Sequence, residues 1–412
     1  MRIILLGAGK AGYLHLNSYL KMIDSQTLPD VEFLFVDPGM TPGKDLLKLC
    51  EEKKQRLKIW PTLEALIHDN HIYDRENDII DLCLPSAILF DEFCHALKLG
   101  FKKIIIEKPI LIREGINSEI VSLIKNADVF MVRNYLYSFV QYKIKELLQE
   151  FEILPEMLLT NFSKNRVQES FSGRAFTREH APTAFEIEIP HQLYIADDIF
   201  GQSGRTIYSM AEDMVKNDEC INSHGLGVVI DYFGKNKVAI HYSNLQHSEI
   251  TRTLDIFCSN DYTIHSIYSP ICEELNDIKA SVVLLRGNRI VKKYLCIERD
   301  DNMYNMFSFA IDALINHRKD RLSTINDLIY TSERLLNIID KSRKQEDRLQ
   351  EEIHNIDLSL VYKLMINNYV LNGDAKNAMN NFIEQVNINK FNEILPSMFA
   401  KSNSESTNNG VA

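Results

Sequence analysis

Short apolar runs alternate with stretches of helical period through the first third of the chain. Residues 2–6 form one such run, and a helix is expected over 11–23. The next run covers 31–36 and ends at Asp37-Pro38, followed by a helical patch over 43–52. Residues 79–84 read as a strand closed by Pro85. A helix over 90–99 stops at Gly100, a residue that suits a helix C-terminus. Lys103-Ile104-Ile105-Ile106 runs into Glu107-Lys108-Pro109, and one more helix–strand pair reaches Val132. These strands are apolar on both faces, as in a parallel sheet covered by helices on each side. Repeated strand–helix–strand units with right-handed crossovers make a doubly wound α/β sheet.

The period then changes. After a helix over 142–150, strand-like runs dominate: 157–162, 227–233, 238–243, 253–257, 262–267, 280–285 and 290–296, with a helix over 192–200 between them. Short turns such as Arg286-Gly287-Asn288-Arg289 join them, which points to one open, mainly antiparallel sheet in an α+β unit. Two helices follow, the second with an apolar stripe at Ile325, Leu328, Ile329, Leu336 and Ile339. Residues 341–352 are charged, and the next stretch again has helical spacing, with Leu360, Leu364, Val370, Leu371, Ala378 and Phe382. The expected organisation is a doubly wound unit over 1–134, an α+β unit over 135–345, extra C-terminal helices over 346–400 and a disordered Ser/Asn-rich tail over 401–412.

At 412 residues the chain exceeds what one core usually serves, which agrees with two domains. A hydrophobic content of 45% and a charged content of 25% are ordinary for a globular protein. The net charge of -11 argues against nucleic acid as a partner, since phosphate backbones need a basic surface. The 7 cysteines show no CxxC spacing and read as reduced thiols. No apolar run approaches membrane-spanning length, and the first residues already read as a buried strand, so a cytoplasmic chain without a membrane partner is expected.

The first strand runs into Gly7-Ala8-Gly9-Lys10-Ala11-Gly12, and a helix opens there. A G-x-G-x-x-G pattern alone is weak evidence; between a strand and a helix of the first unit it reads as a dinucleotide turn. Gly7 permits the tight turn, Gly9 the close approach of backbone to diphosphate, and Gly12 the packing of helix on strand. The N–H groups of the helix start, at Lys10 and Ala11, then face the phosphates. Asp37 ends the second strand, where a carboxylate binds the adenosine ribose hydroxyls and repels a 2'-phosphate. Pro38-Gly39 follows it, not Arg, so NAD is expected over NADP.

With these motifs in place the chain resembles the Gfo/Idh/MocA oxidoreductases, named for glucose-fructose oxidoreductase and inositol dehydrogenase. The matching features are the Gly-rich turn with His15 three residues on, and Leu84-Pro85-Ser86 followed by Ala96-Leu97-Lys98-Leu99-Gly100. Glu107-Lys108-Pro109 directly after a strand is the most specific, and His191 opens a helix that runs to Phe200-Gly201. The resemblance spans about residues 1–345. It implies a Rossmann domain, a second domain with an open antiparallel sheet often used in oligomer contacts, and hence a homo-oligomer, a dimer or tetramer. It also implies that Pro85, Ser86, Glu107 and Lys108 border the cofactor, with Lys108 beside the nicotinamide. The pattern departs at two places. Ser86 and Leu89 stand where the family commonly has Asn and His, and Ile187 stands where an Asp precedes the catalytic His by four residues.

Oxidising a secondary alcohol needs a base at the hydroxyl while hydride leaves for the nicotinamide. Lys108, at the C-terminal end of a parallel strand, is the first candidate, with Glu107 as an anchor for it or for the nicotinamide ribose. His191 is the expected general acid or base, and Glu188, three residues before it, would orient its ring or share its proton. Tyr194 is a further candidate proton donor. Lys164 and Arg166 could meet a phosphate or carboxylate of substrate, or form a solvated basic turn, and Arg133-Asn134-Tyr135 falls where the cleft is expected. A hydrolase is unsupported, since no GxSxG is present, and His68 with His71 lacks a third metal ligand in range. The expectation is an NAD-dependent dehydrogenase or reductase acting on a secondary alcohol or ketone of a sugar, cyclitol, sugar phosphate or nucleotide sugar. Two alternatives stay open: a non-catalytic dinucleotide sensor, and an imine or enone reductase.

Overall fold

The computed structural model describes residues 1–29, 31–69, 74–166, 183–216, 219–234, 237–270 and 279–350. His71, the helical stretch expected beyond 350 and the tail over 401–412 lie outside the described residues.

The first unit is built on β1 (Arg2–Leu6), α1 (Lys10–Asp24), β2 (Glu32–Val36), α2 (Lys44–Glu52), β3 (Ile59–Trp60), α3 (Leu63–Asp69), β4 (Ile79–Leu82), α4 (Ser86–Lys98), β5 (Lys103–Ile106), α5 (Ser118–Lys125) and β6 (Asp128–Met131). The six strands lie in the order β3-β2-β1-β4-β5-β6, all parallel. This is the expected doubly wound order, with its crevice between β1 and β4. Strand alternation feeds two cores. Ile3 and Leu5 point into the layer with Leu16 and Tyr19 of α1, while Ile4 and Leu6 point into the layer with Leu89 and Phe93 of α4. The short β3 and α3 were not foreseen.

A 3-10 turn (Asn134–Tyr137) and α6 (Phe139–Glu150) lead into the second unit. It comprises β7 (Pro155–Asn165), α7 (Ala184–Ile187), α8 (Ile189–Phe200), β8 (Arg205–Lys216), β9 (Glu219–Tyr232), β10 (Val238–Asn244), β11 (Gln246–Cys258), β12 (Tyr262–Ile267), β13 (Ser281–Arg286) and β14 (Arg289–Leu295). Its sheet runs β14-β13-β12-β11-β7-β10-β9-β8 and is antiparallel except between β7 and β10. Leu158 and Phe162 of β7 pack towards Ile144 and Leu147 of α6 and Ile195 of α8; Met157 and Leu159 face the other way.

Two helices close the described chain, α9 (Asn302–Ile315) and α10 (Ile325–Gln350). Although α9 follows the second sheet in sequence, it packs on the first. Its stripe of Met303, Met306, Phe307, Ala310, Ile311 and Leu314 joins the core around α1. Asp301 caps it by accepting from the Tyr304 N–H and pairs with Lys21 of α1 at 2.8 Å. Residues 302–315 thus pack into the core of the first sheet although they follow the second in sequence.

Candidate functional site

The ends of β1, β4 and β5 lie side by side, so the three loops singled out in the sequence converge at one edge of the first sheet. Gly7 has φ +106°, and a Cβ there would stand 2.4 Å from the Cys83 carbonyl oxygen. A Cβ on Gly12 would stand 2.2 Å from the Gly7 carbonyl oxygen. Those two glycines are required by the turn itself. Gly9 differs: a Cβ there would meet nothing within 4 Å. Gly9 is also the N-cap of α1 and makes no side-chain cap hydrogen bond. A bare backbone facing open space at a helix start suits a diphosphate. Lys10 turns its side chain to Asp45, 3.2 Å away, and Ala8 is buried, so both serve this edge through the backbone.

Asp37 is held on the same edge. Its Oδ2 accepts from the Ala8 N–H at 2.9 Å and its Oδ1 from the Gly39 N–H at 2.8 Å. Each carboxylate oxygen keeps capacity for a further donor. Pro85 is the N-cap of α4, and Ser86 Oγ donates to Glu186 Oε1 at 3.0 Å, tying this loop to the second unit.

Behind Lys108 lies a sealed polar cluster of which the sequence reading named only His15 and Glu107. His15 Nδ1 is 3.0 Å from both oxygens of Asp81 and 3.0 Å from Cys83 Sγ, and its Nε2 is 3.0 Å from Glu107 Oε1. Tyr19 OH donates to Asp81 Oδ2 at 2.7 Å. A signal for this was present: Asp81 stands inside an apolar strand, and a buried carboxylate needs partners. The ligating atoms of His15, Asp81 and Cys83 lie within 4.8 Å of one another, but each is already hydrogen-bonded within the cluster. They form one hydrogen-bonded group behind Lys108.

Glu107 Oε2 accepts the Lys108 N–H at 2.9 Å, and Lys108 Nζ donates to the Ile187 carbonyl at 2.6 Å. Ile187 thus holds the lysine through its main chain. Burial pushes the Lys108 amine below the ordinary lysine range; Glu107 and Glu188 oppose this, and Arg166 and Arg252 add to it.

The geometry differs from expectation at Glu188. Its Oε1 pairs with Lys164 at 3.1 Å and its Oε2 with Arg252 at 3.0 Å, while no hydrogen bond joins it to His191 among the described residues. Burial works against its charge, but Arg252 foremost, then Lys164 and His191, hold the carboxyl well below the usual range. Glu188 therefore acts on His191 as a fixed negative charge and not as a ring-orienting acceptor. The His191 ring is packed edge-on to Tyr135, with centroids 4.9 Å apart, and its buried Nδ1 has no partner among the described residues. Burial and then the Lys108 charge keep this imidazole neutral, well below the ordinary histidine range, with Glu188 opposing.

Arg252, which the sequence reading missed, organises this wall. Its guanidinium also donates to Tyr135 OH at 3.2 Å and to the Ser163 carbonyl at 3.0 Å. It is a basic residue on an otherwise unremarkable strand, and nothing local marks it. Tyr135 reaches the site, but Arg133 and Asn134 turn to Ser323 and Asn302. Tyr194 is not at the site as a donor. It is buried in the first unit's core, and its OH faces Met131 Sδ at 3.6 Å.

The class of fold is now defined: a doubly wound sheet and an open sheet meeting at a lysine and a histidine. No protein-family model matches the chain, and no curated protein sequence does. Solved structures do share its fold, and they are of the Gfo/Idh/MocA type that the motifs indicated. KijD10, a 3-ketoreductase from Actinomadura kijaniata solved with NADP and TDP-benzene, superposes with a TM-score of 0.60 at 12% identity, covering 84% of this chain and 97% of that one. A myo-inositol dehydrogenase from Corynebacterium glutamicum gives 0.56 at 14% identity over 84% and 97%. A UDP-N-acetylglucosamine 3-dehydrogenase from Acidithiobacillus ferrooxidans gives 0.56 at 16% identity over 83% and 96%.

Proposed function

We propose that this chain is a nicotinamide-dinucleotide-dependent oxidoreductase acting on a secondary alcohol or ketone of a sugar-like molecule. The observation that carries this is the meeting of Lys108 and the segment bearing Glu188 and His191, at the same sheet edge as the Gly-rich turn. The fold neighbours, which include two sugar or cyclitol dehydrogenases and a ketoreductase with a nucleotide-sugar analogue, support the substrate class. No helix among the described residues is long and apolar enough to cross a membrane.

Gly7 to Gly12 and the start of α1 would hold the diphosphate, Asp37 the adenosine ribose, and Pro85, Ser86 and Glu107 the nicotinamide side. When bound, the nicotinamide accepts or donates the hydride at its C4. The chain's own task is the proton. In oxidation, Lys108 receives the hydroxyl proton or relays it, which a lysine with a lowered pKa does near neutral pH. His191, kept neutral, holds the reacting oxygen or takes the proton in turn. Glu188 offsets the charge that develops on either. Asp37 favours NAD, since a 2'-phosphate would meet a carboxylate already fixed by two backbone N–H groups.

The test is to incubate the full chain with NAD or NADP and a panel of sugars, cyclitols, sugar phosphates and nucleotide sugars, following absorbance of the reduced cofactor. Turnover lost in Lys108→Ala and His191→Ala is expected. NAD binding without turnover on any alcohol or ketone would instead make the chain a dinucleotide sensor. NADP binding tighter than NAD would overturn the role given to Asp37.

A further inference from the structure

The cluster beneath Lys108 contains groups that the proposed reaction does not use. His15, Tyr19, Asp81 and Cys83 are all buried, and none faces the cleft. We propose that His15 is a positioning residue for Lys108, acting through Glu107. This rests on the role given to Lys108 above.

Each ring nitrogen of His15 faces a carboxylate, Asp81 on one side and Glu107 on the other. Burial works against a charged ring, but Asp81 and Cys83 beside it raise its pKa well above the ordinary histidine range, and the imidazolium so favoured offers a donor to each side. It cannot swing. Asp81 meets Nδ1 with both oxygens and is itself fixed by Tyr19, and Phe307 of α9 packs edge-on at 4.6 Å. A ring so held fixes Glu107 Oε1, and the other oxygen of Glu107 takes the Lys108 N–H. The carboxylate is thus a strut between a locked ring and the main chain from which the lysine arm extends to Ile187. It is also the anion adjacent to that lysine. A side chain at this position that cannot donate to Glu107 Oε1 would strip that oxygen of the donor it has in His15, and a carboxyl in that state takes up a proton more readily.

Glu107 and Glu188 face Lys108 as anions; Arg166 past β7, Arg252 on β11 and His191 on α8 face it as cations or bases. Tyr19 on its own helix, Asp81 on β4, Cys83 just past β4 and Glu107 past β5 face His15.

The two isosteres of His separate its two bonds. Asn places an amide near Nδ1 and keeps Asp81; Gln reaches the level of Nε2 and keeps Glu107. The experiment measures acetic anhydride labelling of Lys108 against pH in the full-length protein, read by peptide mass spectrometry, and needs no substrate. In His15→Asn and Glu107→Gln the Lys108 inflection should fall by about 1 pH unit, and the double variant should move no further. His15→Gln should stay within about 0.3 unit of the parent. If His15→Asn leaves the inflection in place while Glu107→Gln moves it, or if both His15 variants move it equally, the proposal is wrong. Should His15→Asn not fold, Tyr19→Phe loosens Asp81 alone; a smaller shift in the same direction supports the proposal and no shift overturns it. Once the panel has supplied a substrate, His15→Asn should lower kcat about 10-fold at unchanged KM, with recovery in His15→Gln. A panel without turnover removes the oxidoreductase reading, while the labelling still decides whether His15 governs Lys108.

Discussion

Gly7 and Gly9 are two residues apart and serve different purposes. Gly7 is needed by the fold, because a side chain would strike the Cys83 carbonyl from a positive φ. Gly9 is not, since a methyl there meets open space. Gly9→Ala is therefore expected to melt within about 1–2 °C of the parent, whereas Gly7→Ala should lose about 2 kcal/mol or more in urea titrations. The same Gly9→Ala protein should bind NAD at least about 10-fold more weakly by fluorescence titration, because the methyl occupies the ground of the diphosphate. Lys108 makes a pH prediction. In the proposed reaction oxidation needs its unprotonated form, so kcat should rise with pH through an inflection below the ordinary lysine range, the direction in which burial displaces the amine. Lys108→Arg, protonated at all working pH, should lose that limb and about 100-fold in rate. His15 works with the opposite sign on stability. Burial alone would lower its pKa, but Asp81 and Cys83 outweigh burial and raise it well above 6.5. Its contribution is therefore complete below about pH 6.5 and is lost as pH rises through the folded value. Unfolding free energy measured from pH 6 to 9 should fall in the parent and fall less in His15→Asn.

The helices and strands divide by how locally they are specified. Five of the six parallel strands were legible because each is a short run with its apolar residues buried, and α10 was legible by its stripe at Ile325, Leu328, Ile329, Leu336 and Ile339. Strand β8 was missed because Thr206 and Ser209 are buried polar residues within it and its register against β9 slips three times. Its pairing, not its composition, makes it a strand. The charged stretch after residue 341 belongs to α10, which is held from its other face. Arg334 pairs with Asp197 of α8 and with Asp231 of β9, the latter at 2.6 Å. Removing the cation leaves two buried carboxylates facing each other, so Arg334→Leu should cost about 3–5 kcal/mol in the urea midpoint analysis. A change below about 1 kcal/mol would show that the cluster is not a buried ion pair in solution.

Across the whole chain the two sheets are not two separable bodies. The core around α1 is completed by Met306, Phe307, Ala310, Ile311 and Leu314, which arrive more than a hundred residues after β6. A fragment of residues 1–134 would expose that apolar layer. It is expected to show no cooperative unfolding by circular dichroism, where the full chain does. The site depends on the same closure, since Ser86 and Lys108 of one unit are bonded to Glu186 and Ile187 of the other.

The family resemblance singled out Lys108 and His191 as candidates, while local order alone determined the doubly wound sheet, the period change after residue 134 and the Gly-rich turn. These depend on spacing within one element or on a motif of a few neighbours. Tertiary structure alone decided that Glu188 is clamped by Arg252 and Lys164, that Tyr194 faces the core, and that Asp81 and Tyr19 stand behind His15. Such pairings join residues far apart in the chain, as Tyr19 and Asp81 at 62 positions or Lys108 and Ile187 at 79. Side-chain charge and burial become defined only when such segments meet, because the energy of a charge is set by what surrounds it and not by its neighbours along the chain.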